Sequence, residues 1–346
     1  MPPLSRLWQL LPVAAAAGLC MYLAALPALA RNGVSPLTLA IVLGMALGNT
    51  VAAPHLPRIA EGIAFSKGRL LRLGIVLYGF KITWAQLAFA GWPALFADVG
   101  VVCGTFALAL WLGRRLGMER DTAALVGAGS AICGAAAVLA AQPVLKAKEA
   151  DVGVAVATVV VFGTLAMFVY PLLAALLLPS VADADACFGW GIYTGASVHE
   201  VAQVAAAGAA VSPQVADVAV ITKMIRVLLL APFLLALPWL MRRFGGGAPS
   251  AQKGAPALPW FALGFLGAVA ANSLLPLPPT VRHALLTTDT FLLTAAMFAL
   301  GLGTHWQSIR QAGVRPLLLA GMLALWLLLG GGTLSYLALR LFGQAG

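Results

Sequence analysis

Charge is what this chain has least of. Only 9% of its 346 residues are Asp, Glu, Lys or Arg, against 62% hydrophobic, whereas a soluble domain carries roughly a quarter charged residues. A water-facing surface of ordinary composition is therefore excluded, and the mean hydropathy of +0.97 marks an integral membrane protein. Cysteine is as scarce. Cys20, Cys103, Cys133 and Cys187 show no metal-ligand spacing, and three of them fall in apolar segments, where a thiol packs as a small hydrophobe. Neither a metal site nor a disulfide framework is expected. The chain also has no GxxxxGK[ST] loop, no HExxH pair and no GxSxG elbow, so ATP-driven transport and membrane proteolysis are without support. No enzymatic activity and no cofactor are expected.

Long apolar runs fill the chain instead. They lie near 8–30, 37–53, 62–82, 91–113, 150–178, 214–241, 258–275, 287–305 and 313–341, and runs of about 20 residues cross a hydrocarbon core of roughly 30 Å. The predicted fold class is an all-α polytopic membrane protein with about 9–11 transmembrane helices. Two further stretches, 121–141 and 188–210, are dominated by Gly, Ala and Ser, with few of the Leu and Ile residues that face lipid. They read as buried elements, interrupted or re-entrant.

The net charge of +10 is spread over short loops and forms no basic block, so nucleic acid is not an expected partner. With a cytoplasmic N-terminus and two re-entrant elements, every basic loop faces the cytoplasm: Arg58, Lys67 and Arg69; Arg114, Arg115 and Arg120; Lys146 and Lys148; Arg242, Arg243 and Lys253; Arg310 and Arg315. The acidic "VADADA" loop then faces out. A multi-pass bacterial inner-membrane protein is expected.

Internal similarity suggests repeats. "KEADVGVAVATVVV" resembles "QVADVAVITKMIRV" in a register that lays Asp151 over Asp217 and Gly129 over Gly195, 66 residues apart. A second pair sets "TWAQLAFAGWP" against "HWQSIRQAGVRP", with Trp84 over Trp306. Inverted repeats of this kind are a common build of secondary transporters.

Backbone that leaves helical geometry at membrane depth must be buried in protein or line a polar cavity. The two small-residue stretches are therefore the candidate site. The first, "GAGSAICGAAAV", offers Gly129 and Gly134 for close backbone approach, Ser130 for a hydroxyl, and the amides of a following helix for an anion. Close helix packing through small residues is the competing explanation. The second, "YTGASVHEVAQV", offers Tyr193, Thr194 and Ser197, with His199 and Glu200 side by side. Ionisable groups inside spans mark ion pathways and proton relays, so His199 and Glu200 are candidates for proton coupling or gating; a histidine satisfied by a carbonyl is the alternative. Further on, "VAVITKMIRVLLLAP" places Lys223 and Arg226 on one helical face near mid-span. They read either as a positive site for an anion or as charges neutralised internally by Asp98, Asp217 or Glu200. Lys81, nearer a helix end, reads as snorkelling. The "GMALG" of Gly44–Gly48 marks helix packing.

The motifs "LLRLGIVLYGFKIT", "GAGSAICGAAAVLAAQPVLKAKE", "VAVATVVVFGTLAMFVYPLL", "GASVHEVAQVAAAG" and "KMIRVLLLAP" resemble the YeiH-type sulfate exporter family of bacterial membrane proteins, from about residue 35 to the C-terminus. That family is grouped with cation:proton antiporter and bile-acid symporter-like carriers. The resemblance implies inverted five-helix repeats with interrupted helices crossing near the midplane. It also implies a division of one transporter domain, 1–346, into an extra N-terminal helix at 8–30, a first half at 37–178 and a second half at 188–341. The 66-residue register is incompatible with that division, and both stand open here.

The expected function is secondary transport of a small anion, sulfate or sulfonate-like, by alternating access with proton coupling. Two other functions stay open: a sodium- or cation-coupled carrier, and a non-transporting scaffold or accessory subunit. The expected partners are the anion and the lipid bilayer, with a homodimer open.

Overall fold

The computed structural model describes residues 8–30, 35–50, 53–178, 180–245, 260–304 and 313–342. Trp306, Arg310 and Lys253 lie outside these. The described residues are helical with no strand. In chain order the helices are α1 (Leu11–Ala25), α2 (Pro36–Gly48), α3 (Ala60–Phe65), α4 (Leu71–Tyr78), α5 (Trp84–Arg115), α6 (Arg120–Ala131), α7 (Ala135–Leu145), α8 (Glu149–Leu177), α9 (Ala184–Ser197), α10 (Val201–Ala209), α11 (Pro213–Leu228), α12 (Leu230–Gly245), α13 (Trp260–Leu274), α14 (Pro279–Leu302) and α15 (Val314–Phe342). Among the described residues, five stretches are long and apolar enough to cross a membrane: Trp8–Ala25, α5, Ala150–Leu177 within α8, α14 and α15. The pair α11–α12, bent by 44°, adds a sixth.

Local chemistry explains the boundaries. Ser35 caps α2 by accepting from the Thr38 N–H, with Pro36 in the first turn. Asp183, in the acidic loop, caps α9 by accepting from Asp185 and Ala186 N–H at 3.0 and 3.1 Å. The expected helix over 8–30 is interrupted at Leu26, which is extended, because the following Pro27 disfavours helical geometry at the residue before it, and it resumes as a four-residue helix over Pro27–Ala30. The expected span 62–82 is a series: α3, a π-helical turn at Ser66–Leu70, α4, and a 3-10 turn at Gly79–Lys81.

The chain folds into two compact units. One comprises the described residues of Met1–Leu87, Ala209–Ser212 and Trp260–Trp306; the other comprises those of Ala88–Gly208, Pro213–Pro259 and Gln307–Gly346. In the first unit α14 is the central helix, packed against α1, α2 and α4. Glycine sets the α2–α14 approach: a Cβ on Gly44 would lie 2.3 Å from the Phe298 carbonyl, and one on Gly301 would lie 2.4 Å from the Ile41 carbonyl. The GxxxG pattern is thus a packing device, as its spacing suggests. Lys81, read as snorkelling, also has an acidic partner. Its Nζ lies 2.7 Å from Asp289 Oδ2, on a fully buried aspartate of α14, and 4.3 Å from the Tyr78 ring centroid. The buried carboxylate draws the ammonium inward, because an uncompensated charge in the unit's interior is costly.

In the second unit α8 packs on α6 and α7, α9 packs on α11 and α15, and α15 also meets α6 and α8. Both small-residue stretches are interrupted helices. Three residues, Ile132–Gly134, separate α6 from α7, and three, Val198–Glu200, separate α9 from α10. The 66-residue register reproduces these boundaries residue for residue. Ala131 and Ser197 end the leading segments, and Ala135 and Val201 open the trailing ones.

The glycine contact in the first unit gives a direct test. Gly44→Val should lower the melting temperature of the detergent-solubilised protein, with a loss of roughly 1–3 kcal/mol from overpacking against backbone. Gly18→Val, at a helical glycine with nothing within 4 Å of its added Cβ, should leave it nearly unchanged.

Candidate functional site

The site forms where the two helix breaks meet, inside the second unit. A break exposes carbonyls at the end of its leading helix and N–H groups at the start of its trailing one. In hydrocarbon neither set can turn to water. The sequence must supply partners, and it does so with charge.

Lys223, fully buried on α11, donates from Nζ to the Ile132 carbonyl at 2.6 Å and to the Val198 carbonyl at 2.8 Å. One ammonium thus joins the first break to the second. Arg226, also fully buried, donates to the Ala196 and Val198 carbonyls through its two terminal nitrogens. Its Nε lies 3.9 Å from Asp98 Oδ1 on α5, and that aspartate is fully buried too. The three-residue spacing anticipated from the sequence puts both cations on one face, where they converge on Val198. These carbonyls carry the negative ends of the α6 and α9 dipoles, so a cation beside them is favourable.

The opposite pole is held by an acid. The Ala135 N–H, at the start of α7, donates to Glu200 Oε1 at 3.2 Å. Gly134 makes this possible in two ways. Its φ of +71° suits glycine, and a Cβ there would lie 2.3 Å from Glu200 Cγ. The Glu200 N–H in turn donates to Gln203 Oε1 at 3.2 Å.

The other sequence candidates divide by contact. Ser130 is fully buried in the last turn of α6, and its Oγ has no hydrogen-bond partner among the described residues. The same holds for Thr194 Oγ1 and for both ring nitrogens of His199, which is 2% exposed. Ser197 ends α9, so close to Gly331 of α15 that a Cβ there would lie 2.3 Å from its Oγ. The Tyr193 hydroxyl donates to the Leu328 carbonyl of α15 at 2.7 Å, and its ring stacks obliquely on Tyr170 with centroids 4.8 Å apart. Gly129 serves packing: its Cβ would lie 2.7 Å from both Val138 and Val159. Ser130, Gly134, His199, Glu200, Lys223 and Arg226 therefore gather at or beside the breaks, while Tyr193 and Gly129 are engaged by neighbouring helices.

Residues 9–320 match the family described as conserved hypothetical protein 698. The chain is 47% identical over 336 residues to the UPF0324 inner membrane protein YeiH of Escherichia coli (strain K12), covering 95% of each chain. It belongs to the YeiH family. It is also 47% identical over 348 residues to a UPF0324 membrane protein of Pseudomonas aeruginosa, covering 97% of each. To one from Yersinia pestis it is 49% identical over 317 residues, covering 91% of this chain and 88% of that one. No solved structure matches the chain. Together with the apolar helices, the YeiH-family relationship makes it a multi-pass inner-membrane protein.

Some of the candidate site was not legible in the sequence. The acidic partner of Arg226 was among three candidates, but nothing in the spacing shows that Lys223 spends its donors on carbonyls. Gly163, where an added Cβ would meet Gln203 Oε1 at 2.3 Å, follows the β-branched run Thr158–Val161 and Phe162 and was not singled out.

If Lys223 joins the breaks as described, Lys223→Met keeps much of the length and loses every donor. It should cost about 3 kcal/mol, since charged hydrogen bonds to buried acceptors are worth roughly 1.5–3 kcal/mol each. Thermal melting in detergent reads this directly. Lys148→Met, removing an exposed pair with Glu119 at 3.5 Å, should leave the melt unchanged.

Proposed function

We propose that this protein is a secondary transporter that carries a small anion, sulfate or sulfonate-like, across the inner membrane by alternating access. The observation that carries this reading is the occupancy of the two poles of the crossing. In interrupted-helix carriers, leading-helix carbonyls hold coupling cations and trailing-helix N–H groups face anionic substrate groups. Here Lys223 and Arg226 already fill the carbonyl pole from within the chain. A sodium ion would have to displace a tethered ammonium from the same oxygens. The N–H pole accepts a carboxylate, that of Glu200, which is the chemistry an oxyanion shares.

Ser130 and the amides around Gly134 are the donors offered to anion oxygens, with Lys223 and Arg226 supplying the positive field behind them. His199 and Glu200 are the groups for proton coupling. The small-residue helices on either side of the breaks permit sliding of packed elements, the kind of motion alternating access needs.

A thermal-shift screen of purified protein tests the reading. Sulfate and methanesulfonate, as sodium and as choline salts, should stabilise alike. A ligand at a hundred times its Kd adds about 2.7 kcal/mol. Stabilisation that follows sodium whatever the anion would favour the cation-coupled carrier, and none with any salt would favour a scaffold.

A further inference from the structure

Glu200 does more at the crossing than balance charge. It belongs to the second break, yet its carboxylate caps the helix that opens the first, accepting from Ala135 N–H at 3.2 Å. The amino end of α7 has no capping side chain of its own, and its N-cap glycine leaves the space that the Glu200 side chain fills. A negatively charged oxygen at a helix amino end, beside glycine, is the arrangement by which proteins hold free oxyanions. Beside it are two buried groups that point to a ligand independently of that helix end. His199, next to Glu200 in the break, has neither ring nitrogen hydrogen-bonded among the described residues, and Ser130 Oγ in the last turn of α6 is likewise without a partner.

Charge around the carboxylate sets the consequence. Lys223 of α11 and Cys133 of the first break lie within electrostatic reach of the carboxylate, His199 adjoins it in the chain, Gln203 of α10 accepts from the Glu200 N–H, and the Arg226–Asp98 pair interacts with Lys223 in turn. Formally Lys223 and Arg226 balance Glu200 and Asp98. A second anion entering while Glu200 stays ionised and in place would meet a like charge on the same N–H groups, in surroundings where such a clash is poorly screened.

We propose that Glu200 is a tethered occupant of the anion site: its carboxylate and the transported oxyanion compete for the amino end of α7. Binding of the oxyanion displaces Glu200, and the displaced carboxylate takes one proton from water to become a neutral acid. One proton is thereby taken up with each anion bound. This rests on the anion-carrier reading above and adds the coupling rule to it.

The test is sulfate binding to the full-length purified protein, by calorimetry at about pH 6 and about pH 8, for wild type, Glu200→Gln and Glu200→Ala. Wild type should bind more tightly at the lower pH, with a limit of about tenfold per pH unit for one linked proton. Both variants should bind sulfate at least about tenfold more tightly than wild type at the higher pH and show little dependence on pH. In weakly buffered solution, sulfate added to wild type should raise the pH, and the variants should not respond. Sulfate binding with the same affinity and pH dependence in all three proteins, or without proton uptake by wild type, would overturn the tethered-occupant proposal and leave the anion carrier standing. Sulfate binding to none of the three at either pH would overturn both.

Discussion

The contact on which the second unit depends is the one ammonium shared by two helix breaks. Interrupting a helix inside a membrane protein leaves several carbonyls and amides without partners, each a cost of several kcal/mol in hydrocarbon. Interrupting two helices and bringing the breaks together doubles that cost. Lys223 meets it at the carbonyl pole by bonding Ile132 and Val198 at once. Arg226 takes up Ala196 and shares Val198, and Asp98 compensates the guanidinium. Such charges are expensive to bury, but the two cations stand where dipole ends would otherwise be bare, and Asp98 balances one of them.

From that contact the need for glycine follows. Two breaks can meet only if backbones approach closely, and the chain supplies glycine where a side chain would intrude. Gly195 packs on α11, where a Cβ would lie 2.4 Å from the Ala219 carbonyl, and Gly134 yields its place to Glu200. The sequence stretches that carry few lipid-facing residues are thus poor in them for a reason. Most of their residues are buried in protein, and several of their contacts are made at backbone distance.

This explains what could be read from the sequence and what could not. The interruptions were legible because buried, irregular backbone requires small residues in runs, and 121–141 and 188–210 have them. The depth of Lys223 and Arg226 was legible from their place in an apolar span. Their partners were not, because a carbonyl carries no sequence signature: any residue at position 132 or 198 offers the same oxygen. The Lys81–Asp289 pair escaped for a different reason. Its members are far apart in the chain, and Lys81 near a helix end satisfies the snorkelling pattern equally well until the fold places Asp289 beside it. The interruption of the helix over 8–30 was not legible because hydropathy is blind to the backbone restriction that Pro27 places on Leu26.

The 66-residue register turns these separate observations into one. Gly129 and Gly195 are equivalent in this register, and each packs its leading helix against the helix that comes after the interrupted pair: Gly129 on Val159 of α8, Gly195 on Ala219 of α11. The repeat therefore encodes the geometry of the crossing. It does not encode the charge. Lys223 and Arg226 correspond to Ala157 and Val160, and His199 corresponds to Cys133, so the first copy has no counterpart of these three basic side chains. Most telling are Gly134 and Glu200, which occupy the same position in the two copies and touch each other. Equivalent positions meet at the centre of a crossing built from two like parts, and two glutamates there would repel while two glycines would leave the amino end of α7 uncapped. With an acid at one position and the space for it at the other, the centre holds a single carboxylate on a single helix end.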